Sequence, residues 1–182
     1  LGHRLTAGFA GPAGQPISDR PNDSIRMLAK LRGGFAAKPI PEFKSHADFV
    51  QIWKQAESVK PSDVAGVAFD GELLKLGPFW RTSFFITNRL FGPGRWLGKA
   101  FDDDGRRGNN RFFSDEIEKR QRNFNAELAP SKRDGADALV LCYDDPVFGG
   151  AALGMRDELR LDRATGTILG LGSMRATGGT LL

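Results

Sequence analysis

The feature that most constrains the fold is the character of the chain after residue 63, where short runs of aromatic and β-branched residues are separated by Gly, Pro and Asp. Runs of this kind are typical of β-strands joined by tight turns. No helical pattern falls between them in the rhythm of a parallel βαβ sheet, so a nucleotide-binding fold is not expected. We therefore predict a mainly β, antiparallel barrel or sandwich of about eight strands, with strands over residues 64–69, 71–77, 82–91, 95–102, 109–113, 136–143, 155–162 and 167–176.

Three short segments are predicted to form hairpin turns between these strands, namely Gly92–Gly94, Asp104–Gly105 and Ala164–Gly166. Residues 114–135 are strongly polar, and two interpretations of them stay open. They form either a long excursion with a helical turn or an edge strand.

The residues before 63 predict short helices. Asn22 or Asp23 can cap a first helix, which ends at Gly33. A second helix begins after Ser45, which forms a capping-box pattern with Asp48. Its apolar residues recur at the spacing of one helical face, at Phe49, Ile52, Trp53 and Ala56.

Pro61 is expected to end the second helix at Lys60. We predict a flexible arm over residues 1–21 and one domain over residues 22–182, with helices in 22–62 that cap a barrel over 63–176. The chain begins at Leu1 rather than Met, which suggests trimming or processing. It also stops soon after the last predicted strand, which leaves room for a further C-terminal segment.

The composition excludes several classes of protein. Hydrophobic residues make up 40% and charged residues 26% of the chain, as in globular proteins, and no apolar run is long enough to span a membrane. The net charge of +4 is spread among intermingled acids and bases, so a nucleic-acid partner is not expected. The cytoplasm is the favoured compartment.

Few side chains are available for metal or nucleophilic chemistry. Cys142 is the only cysteine, which excludes an intramolecular disulfide, and it is expected to be a small buried residue. The only histidines, His3 and His46, both precede the predicted barrel. We therefore expect no metal site, no cofactor and no histidine-based catalytic triad. The 14 Phe residues against one Tyr instead favour a large core or an apolar cavity.

The strand 155–162 places one carboxylate in an apolar row. Because alternate side chains of a strand point to opposite faces, Asp157 shares a face with Met155, Leu159 and Leu161. The other face, which includes Arg156, Glu158 and Arg160, is predicted to be a solvated ladder of charges.

Lys99 is the natural partner of this carboxylate. On strand 95–102 it shares a face with Leu97 and Phe101, and a buried ammonium requires a counter-charge. Two interpretations stay open: Lys99 pairs with Asp157 in the interior, or it reaches water while Asp157 caps a turn or meets an arginine.

Two further strands would supply a ligand cavity. In 82–91 one face carries Phe84, Ile86 and Asn88, and in 136–143 one face carries Leu139, Leu141 and Tyr143. The Tyr143 hydroxyl could orient a ligand. The residues predicted to line the cavity are Phe84, Ile86, Asn88, Leu97, Phe101, Leu139, Leu141 and Leu159.

The chain has short helices, followed by RWLGKAF, then GNNRFF and then the late hairpin MRDELRLDRATGTILGLG. Over about residues 63–176 this order resembles that of the calycin barrels, that is, the lipocalins and their relatives. Trp96–Gly98 is similar to the Gly-x-Trp element of that group in reversed order, and Arg156 and Arg160 are similar to its late arginine-bearing strand. The resemblance implies a bacterial lipocalin-like barrel with a cavity for a small apolar ligand. Some barrels of this type carry out isomerase or cyclase chemistry.

Three hypotheses for function follow. In the first, the protein binds a small hydrophobic molecule in a Phe-lined cavity. In the second, it is a cofactor-independent isomerase or cyclase, with Asp157 as general acid or base and with Tyr143 or Lys99 stabilising an oxyanion. In the third, it is a structural or interaction protein, and the polar segment 114–135 is its partner-binding loop.

Overall fold

A computed structural model describes residues 42–76, 80–150 and 153–175. The predicted arm over residues 1–21 and the predicted helix that ends at Gly33 lie outside the described residues. No helix of the described residues is long and apolar enough to cross a membrane.

The described chain begins with a capped helix, α1 (His46–Gln55). The Ser45 hydroxyl accepts a hydrogen bond from the Asp48 backbone N–H at 3.1 Å, and the Asp48 carboxylate accepts one from the Lys44 backbone N–H at 3.0 Å. This confirms the predicted start of the helix. The predicted end at Lys60 is wrong, because β1 (Glu57–Ser58) follows and Pro61 occupies the first position of α2 (Pro61–Val64), where proline is well tolerated.

The remaining elements form one antiparallel sheet with a helical insertion. The insertion is α3 (Trp80–Phe85), which continues as a π-helix over Ile86–Phe91. The other strands are β2 (Ala68–Asp70), β3 (Arg95–Phe101), β4 (Arg107–Ser114), β5 (Ile117–Pro130), β6 (Asp137–Tyr143), β7 (Arg156–Asp162) and β8 (Thr167–Ser173).

The sheet runs in the order β2-β3-β4-β5-β6-β7-β8, and each pair is antiparallel. The short strand β1 pairs with β7 at Arg160 and Leu161, beyond the last β7 residue that pairs with β6. The predicted antiparallel, mainly β fold is therefore confirmed. The sheet curls into a half-barrel, and the described residues show no pairing between its end strands β2 and β8.

Three of the predicted strands differ in the structure. The segment 64–69 is divided between the end of α2 and β2, and residues 71–76 form no strand. The segment 82–91 is helical, although its aromatic and β-branched residues favour a strand. The Asn88 side chain donates to the Phe84 carbonyl one turn earlier at 2.8 Å, and it accepts from the Trp96 backbone N–H at 2.7 Å, which connects the helical segment to β3. As a result, Gly92–Gly94 joins a helix to β3 and is not a hairpin.

The polar segment 114–135 contains the longest strand of the sheet. β5 has 14 residues and lies between β4 and β6, so it is neither a helical excursion nor an edge. Its buried positions, Phe124 and Ala126, alternate with the exposed polar residues Asn123, Asn125 and Glu127. The polar outer face concealed the strand in the sequence.

The inner face of the curled sheet holds the main core, in which Phe101, Phe124, Leu139, Leu141 and Leu159 are buried together. A second, smaller core lies on the outer face, between α1 and β6–β8. There Phe49, Val50 and Trp53 of α1 pack against Ala138, Leu169 and Leu171. Helix α1 therefore covers the outside of the sheet at β6–β8.

The outer face of β7 is buried, so the prediction of a solvated charge ladder is wrong. Glu158 is 5% and Arg160 is 1% exposed. The Arg160 guanidinium donates to both carboxylate oxygens of Asp134 at 2.8 Å, and it lies 4.1 Å from the Trp53 ring centroid. Helix α1 and the loop before β6 cover this face.

The prediction that Cys142 is a small buried residue is also wrong. Cys142 is exposed at the end of the outer face of β6.

Candidate functional site

A β-bulge in β3 sets the direction of the side chains that form the site. The pairing of β3 with β4 shifts between Trp96 and Gly98, so Leu97 is the extra residue. The bulge places Trp96 on the same inner face as Lys99. Gly98 adopts φ +140°, and a Cβ atom there would lie 2.0 Å from the Phe69 carbonyl oxygen, so this position requires glycine.

Lys99 is buried at the centre of the site, with 5% of its surface exposed. Its ammonium group donates three hydrogen bonds: to Asn110 Oδ1 at 2.9 Å, to the Tyr143 hydroxyl at 2.8 Å and to Asp157 Oδ2 at 2.7 Å. These acceptors match the three N–H groups of a lysine. The predicted pairing of Lys99 with Asp157 is thus present in the structure.

Aromatic rings surround the same ammonium group. Its nitrogen lies 5.7 Å from the Trp96 ring centroid, 5.3 Å from that of Phe124 and 5.4 Å from that of Tyr143. Each distance is within the range of a cation–π interaction. The rings exclude water from Lys99 while their faces attract its charge.

Tyr143 holds its proton toward Asp157. Its hydroxyl donates to Asp157 Oδ2 at 2.5 Å while it accepts from Lys99. Burial, followed by the nearby charge of Asp157, raises the pKa of Tyr143 well above its usual value. The phenol is therefore neutral at physiological pH and acts as a donor to the carboxylate.

Asn110 completes the cluster from β4. Its Oδ1 accepts from both the Trp96 indole N–H, at 2.9 Å, and Lys99, and its amide group donates to the Arg122 carbonyl at 3.3 Å. Arg122 has a positive φ of 58° at a second bulge, where the pairing of β4 with β5 shifts. We refer to Trp96, Lys99, Asn110, Tyr143 and Asp157 as the polar cluster.

Trp96 and Asn110 are site residues that the alternating pattern of the strands does not predict. A usable signal for Asn110 was present, because two adjacent asparagines in the middle of a strand are disfavoured unless their amides have specific partners. No comparable signal existed for Trp96. Its direction depends on a bulge that the alternating pattern does not reveal.

The polar cluster forms the floor of a cavity of about 210 Å³. Its walls are mainly apolar and come from β7, β8, the start of α1, the segment after β2 and the helical insertion. Residues that line these walls include Phe43, His46, Phe49, Leu73, Leu76, Trp80, Phe84, Thr87, Met155, Leu159, Ile168, Gly170 and Gly172.

The structure brings together Lys99, Tyr143 and Asp157, the three residues predicted to carry chemistry. Of the residues predicted to line the cavity, Phe84 and Leu159 do so. The other six do not: Ile86, Asn88, Leu97, Phe101, Leu139 and Leu141.

Each of these six has a structural reason for its position. Phe101, Leu139 and Leu141 lie on the inner face but are packed in the core. Ile86 and Asn88 belong to the π-helix rather than to a strand, so they do not share a strand face with Phe84. Leu97 is the extra residue of the bulge in β3.

The described residues contain no group of three or more His, Cys, Asp or Glu side chains that could hold a metal ion. Comparison with known proteins adds no further assignment to this geometry: no protein-family model, curated protein or solved structure matches the chain.

Proposed function

We propose that the protein binds a small, mainly apolar molecule in this cavity, in the manner of a lipocalin-like barrel. The observation that carries the proposal is the position of the polar cluster, which lies at the floor of a cavity with largely apolar walls. A concave apolar site with a few convergent polar groups is the usual form of a small-molecule site.

The size of the cavity limits the ligand. A cavity of about 150 Å³ with apolar walls holds one benzene molecule. The volume of about 210 Å³ is therefore suited to a single ring with a short substituent, or to an aliphatic molecule of similar size.

The hydrogen bonds of the floor favour binding over acid/base catalysis. In the enzymatic hypothesis, Lys99 or Tyr143 would donate to an oxyanion on the substrate. In this arrangement the three protons of Lys99 and the proton of Tyr143 are already donated to protein acceptors. An oxyanion would therefore have to displace Asp157 or Asn110 before it could be stabilised.

The hypothesis of an interaction module loses its main support. It assigned partner binding to a polar loop over residues 114–135, but most of this segment is the central strand β5. The exposed side chains of β5 belong to a strand that is paired on both sides.

The proposal can be tested with toluene as a neutral apolar probe. In an NMR titration we expect saturable shifts of the Trp96 indole N–H and of the Gly170 and Gly172 amides, whereas Gly105, in the distant β3–β4 turn, stays unchanged. Native mass spectrometry of the purified protein would separately reveal a bound natural ligand.

Two threonines of the helical insertion provide matched variants. Thr87 lines the cavity and Thr82 is exposed. Thr87→Trp should fill the cavity and abolish toluene binding, while Thr82→Trp should leave it intact. If toluene does not bind with saturation, or if Thr87→Trp binds it as the unmodified protein does, the cavity is not a ligand site.

A further inference from the structure

We infer that the ligand of this cavity is a neutral molecule with a hydroxyl group, and that this hydroxyl donates a hydrogen bond to Asp157 Oδ1. The inference rests on the proposed function, because it names the chemical class that the same cavity accepts. It follows from the hydrogen bonds of the polar cluster, in which Asp157 Oδ1 is the oxygen that accepts none from the described residues.

The two oxygens of Asp157 differ in their surroundings. Oδ2 accepts hydrogen bonds from Lys99 at 2.7 Å and from Tyr143 at 2.5 Å. Oδ1 accepts no hydrogen bond from the residues that the structure describes. It lies beside Gly172, where a Cβ atom would be 3.2 Å from it, and both Asp157 and Gly172 line the cavity. A carboxylate oxygen in this position is an acceptor available to a ligand.

The polar cluster offers no corresponding donor, and the unpaired Thr167 hydroxyl of the cavity lining lies at the other end of β8 from Gly172. Besides Lys99 and Tyr143, the Trp96 indole N–H is engaged, since it donates to Asn110 at 2.9 Å. A ligand carboxylate would therefore face the Asp157 carboxylate with no free donor at the floor, and like charges at short range in a poorly solvated site repel strongly.

A ligand ammonium is also disfavoured. The charges of Lys99 and Asp157 already neutralise each other at 2.7 Å. An ammonium group bound to Oδ1 would lie close to the buried Lys99 ammonium, and one carboxylate would be shared between two cations. A hydroxyl group supplies the required donor without adding charge, so an alcohol or a phenol fits both the free acceptor and the neutral floor.

Four compounds with the same carbon skeleton test this inference: toluene, benzyl alcohol, benzylamine and benzoate, each titrated at pH 7 by calorimetry. A hydrogen bond to a charged acceptor contributes enough to tighten binding by about tenfold. We expect benzyl alcohol to bind about tenfold more tightly than toluene, and benzoate and benzylamine to bind more weakly than benzyl alcohol.

Two neighbouring glycines of β8 give a matched pair of variants that leaves Lys99, Tyr143 and Asp157 unchanged. In Gly172→Ala the new methyl group crowds Asp157 Oδ1, and the tenfold preference for benzyl alcohol over toluene should fall to about one. In Gly170→Ala the methyl group would lie 3.0 Å from the Leu159 Cδ2 atom, so both compounds should weaken alike and the preference should persist.

The outcomes separate this inference from the proposed function. If toluene binds but benzyl alcohol binds no better, or if benzoate or benzylamine binds as well as benzyl alcohol, the cavity is a ligand site and the hydroxyl inference is wrong. The same conclusion follows if Gly172→Ala keeps the full preference. If toluene does not bind with saturation, the proposed function itself is overturned, whatever the other three compounds do.

Discussion

The buried charges of Lys99 and Asp157 should be strongly coupled in their contribution to stability. The perturbation is a double-mutant cycle of Lys99→Met, Asp157→Asn and both together. Methionine keeps most of the length and apolar volume of the lysine side chain but removes its charge. Asparagine keeps the shape of the carboxylate.

The expected magnitude follows from the geometry. The side chains of Lys99 and Asp157 are 6% and 14% exposed, and their charged atoms lie 2.7 Å apart. At an effective dielectric constant of about 20, two unit charges at this distance attract by about 6 kcal/mol, and desolvation offsets much of that attraction. Removing only one partner leaves an uncompensated buried charge, so Lys99→Met should lower the free energy of unfolding by about 3–5 kcal/mol.

Asp157→Asn should cost less than Lys99→Met, because the ammonium group keeps the Tyr143 and Asn110 acceptors and three aromatic rings. The double variant carries no unpaired charge. It should therefore be more stable, by about 2–3 kcal/mol, than the sum of the two single effects predicts.

The assay is urea unfolding followed by circular dichroism at pH 7. The control is the same cycle on the surface pair of Glu57 and Arg163, whose side chains are 55% and 68% exposed. Exposed pairs contribute at most about 1 kcal/mol, so the control coupling should be small. A coupling between Lys99 and Asp157 no larger than that of the control would refute the view that they form a desolvated pair.

Three further results are expected. Gly98→Ala should destabilise the protein by about 2 kcal/mol or more in the same urea assay, because its Cβ atom would clash with the Phe69 carbonyl at φ +140°; unchanged stability would contradict the structure of the bulge. Absorbance at 295 nm should show that Tyr143, the only tyrosine, stays protonated at pH values where a free phenol ionises. Because unfolding lets this phenol ionise, the free energy of unfolding should fall as the pH rises above about 10. The hydrogen bonds from Arg160 lower the pKa of Asp134 in the folded protein. This carboxylate therefore stabilises the fold at pH values above its unfolded pKa of about 4, and the stabilisation is lost as the pH falls through the lower folded pKa. Asp134→Asn should flatten the dependence of stability on pH in this acid range.

The alternation of side chains predicted the inner half of the site. On β7 it placed Asp157 in a row with Leu159, and on β3 it placed Lys99 in a row with Phe101. All four residues lie on the inner face of the curled sheet. These predictions succeeded because a strand has a fixed period of two, and because a buried ammonium requires a counter-charge. Sequence alone could not show that β3 and β7 approach each other across the sheet.

The outer face of β7 shows the limit of the same reasoning. A row of charged residues has the same pattern whether water or another part of the chain covers it. Here α1 and the loop before β6 cover Glu158 and Arg160, and each charged group has an assigned partner. Ser131 donates to Glu158 at 2.5 Å, and Asp134 accepts from Arg160. Which segments fold over a face is a tertiary property that the period of a strand does not encode.

The choice of lysine at position 99 follows from the geometry of its acceptors. Asn110, Tyr143 and Asp157 lie on three different strands, and each accepts one hydrogen bond from the same nitrogen. A tetrahedral ammonium group can donate in three such directions, whereas the planar fork of an arginine is suited to acceptors in one plane. An arginine would also bring more volume into a space bounded by three aromatic rings. Lys99 thus fixes Asp157 Oδ2 by engaging all of its own protons, and this also holds Asp157 Oδ1, which accepts no hydrogen bond from the described residues, in one position.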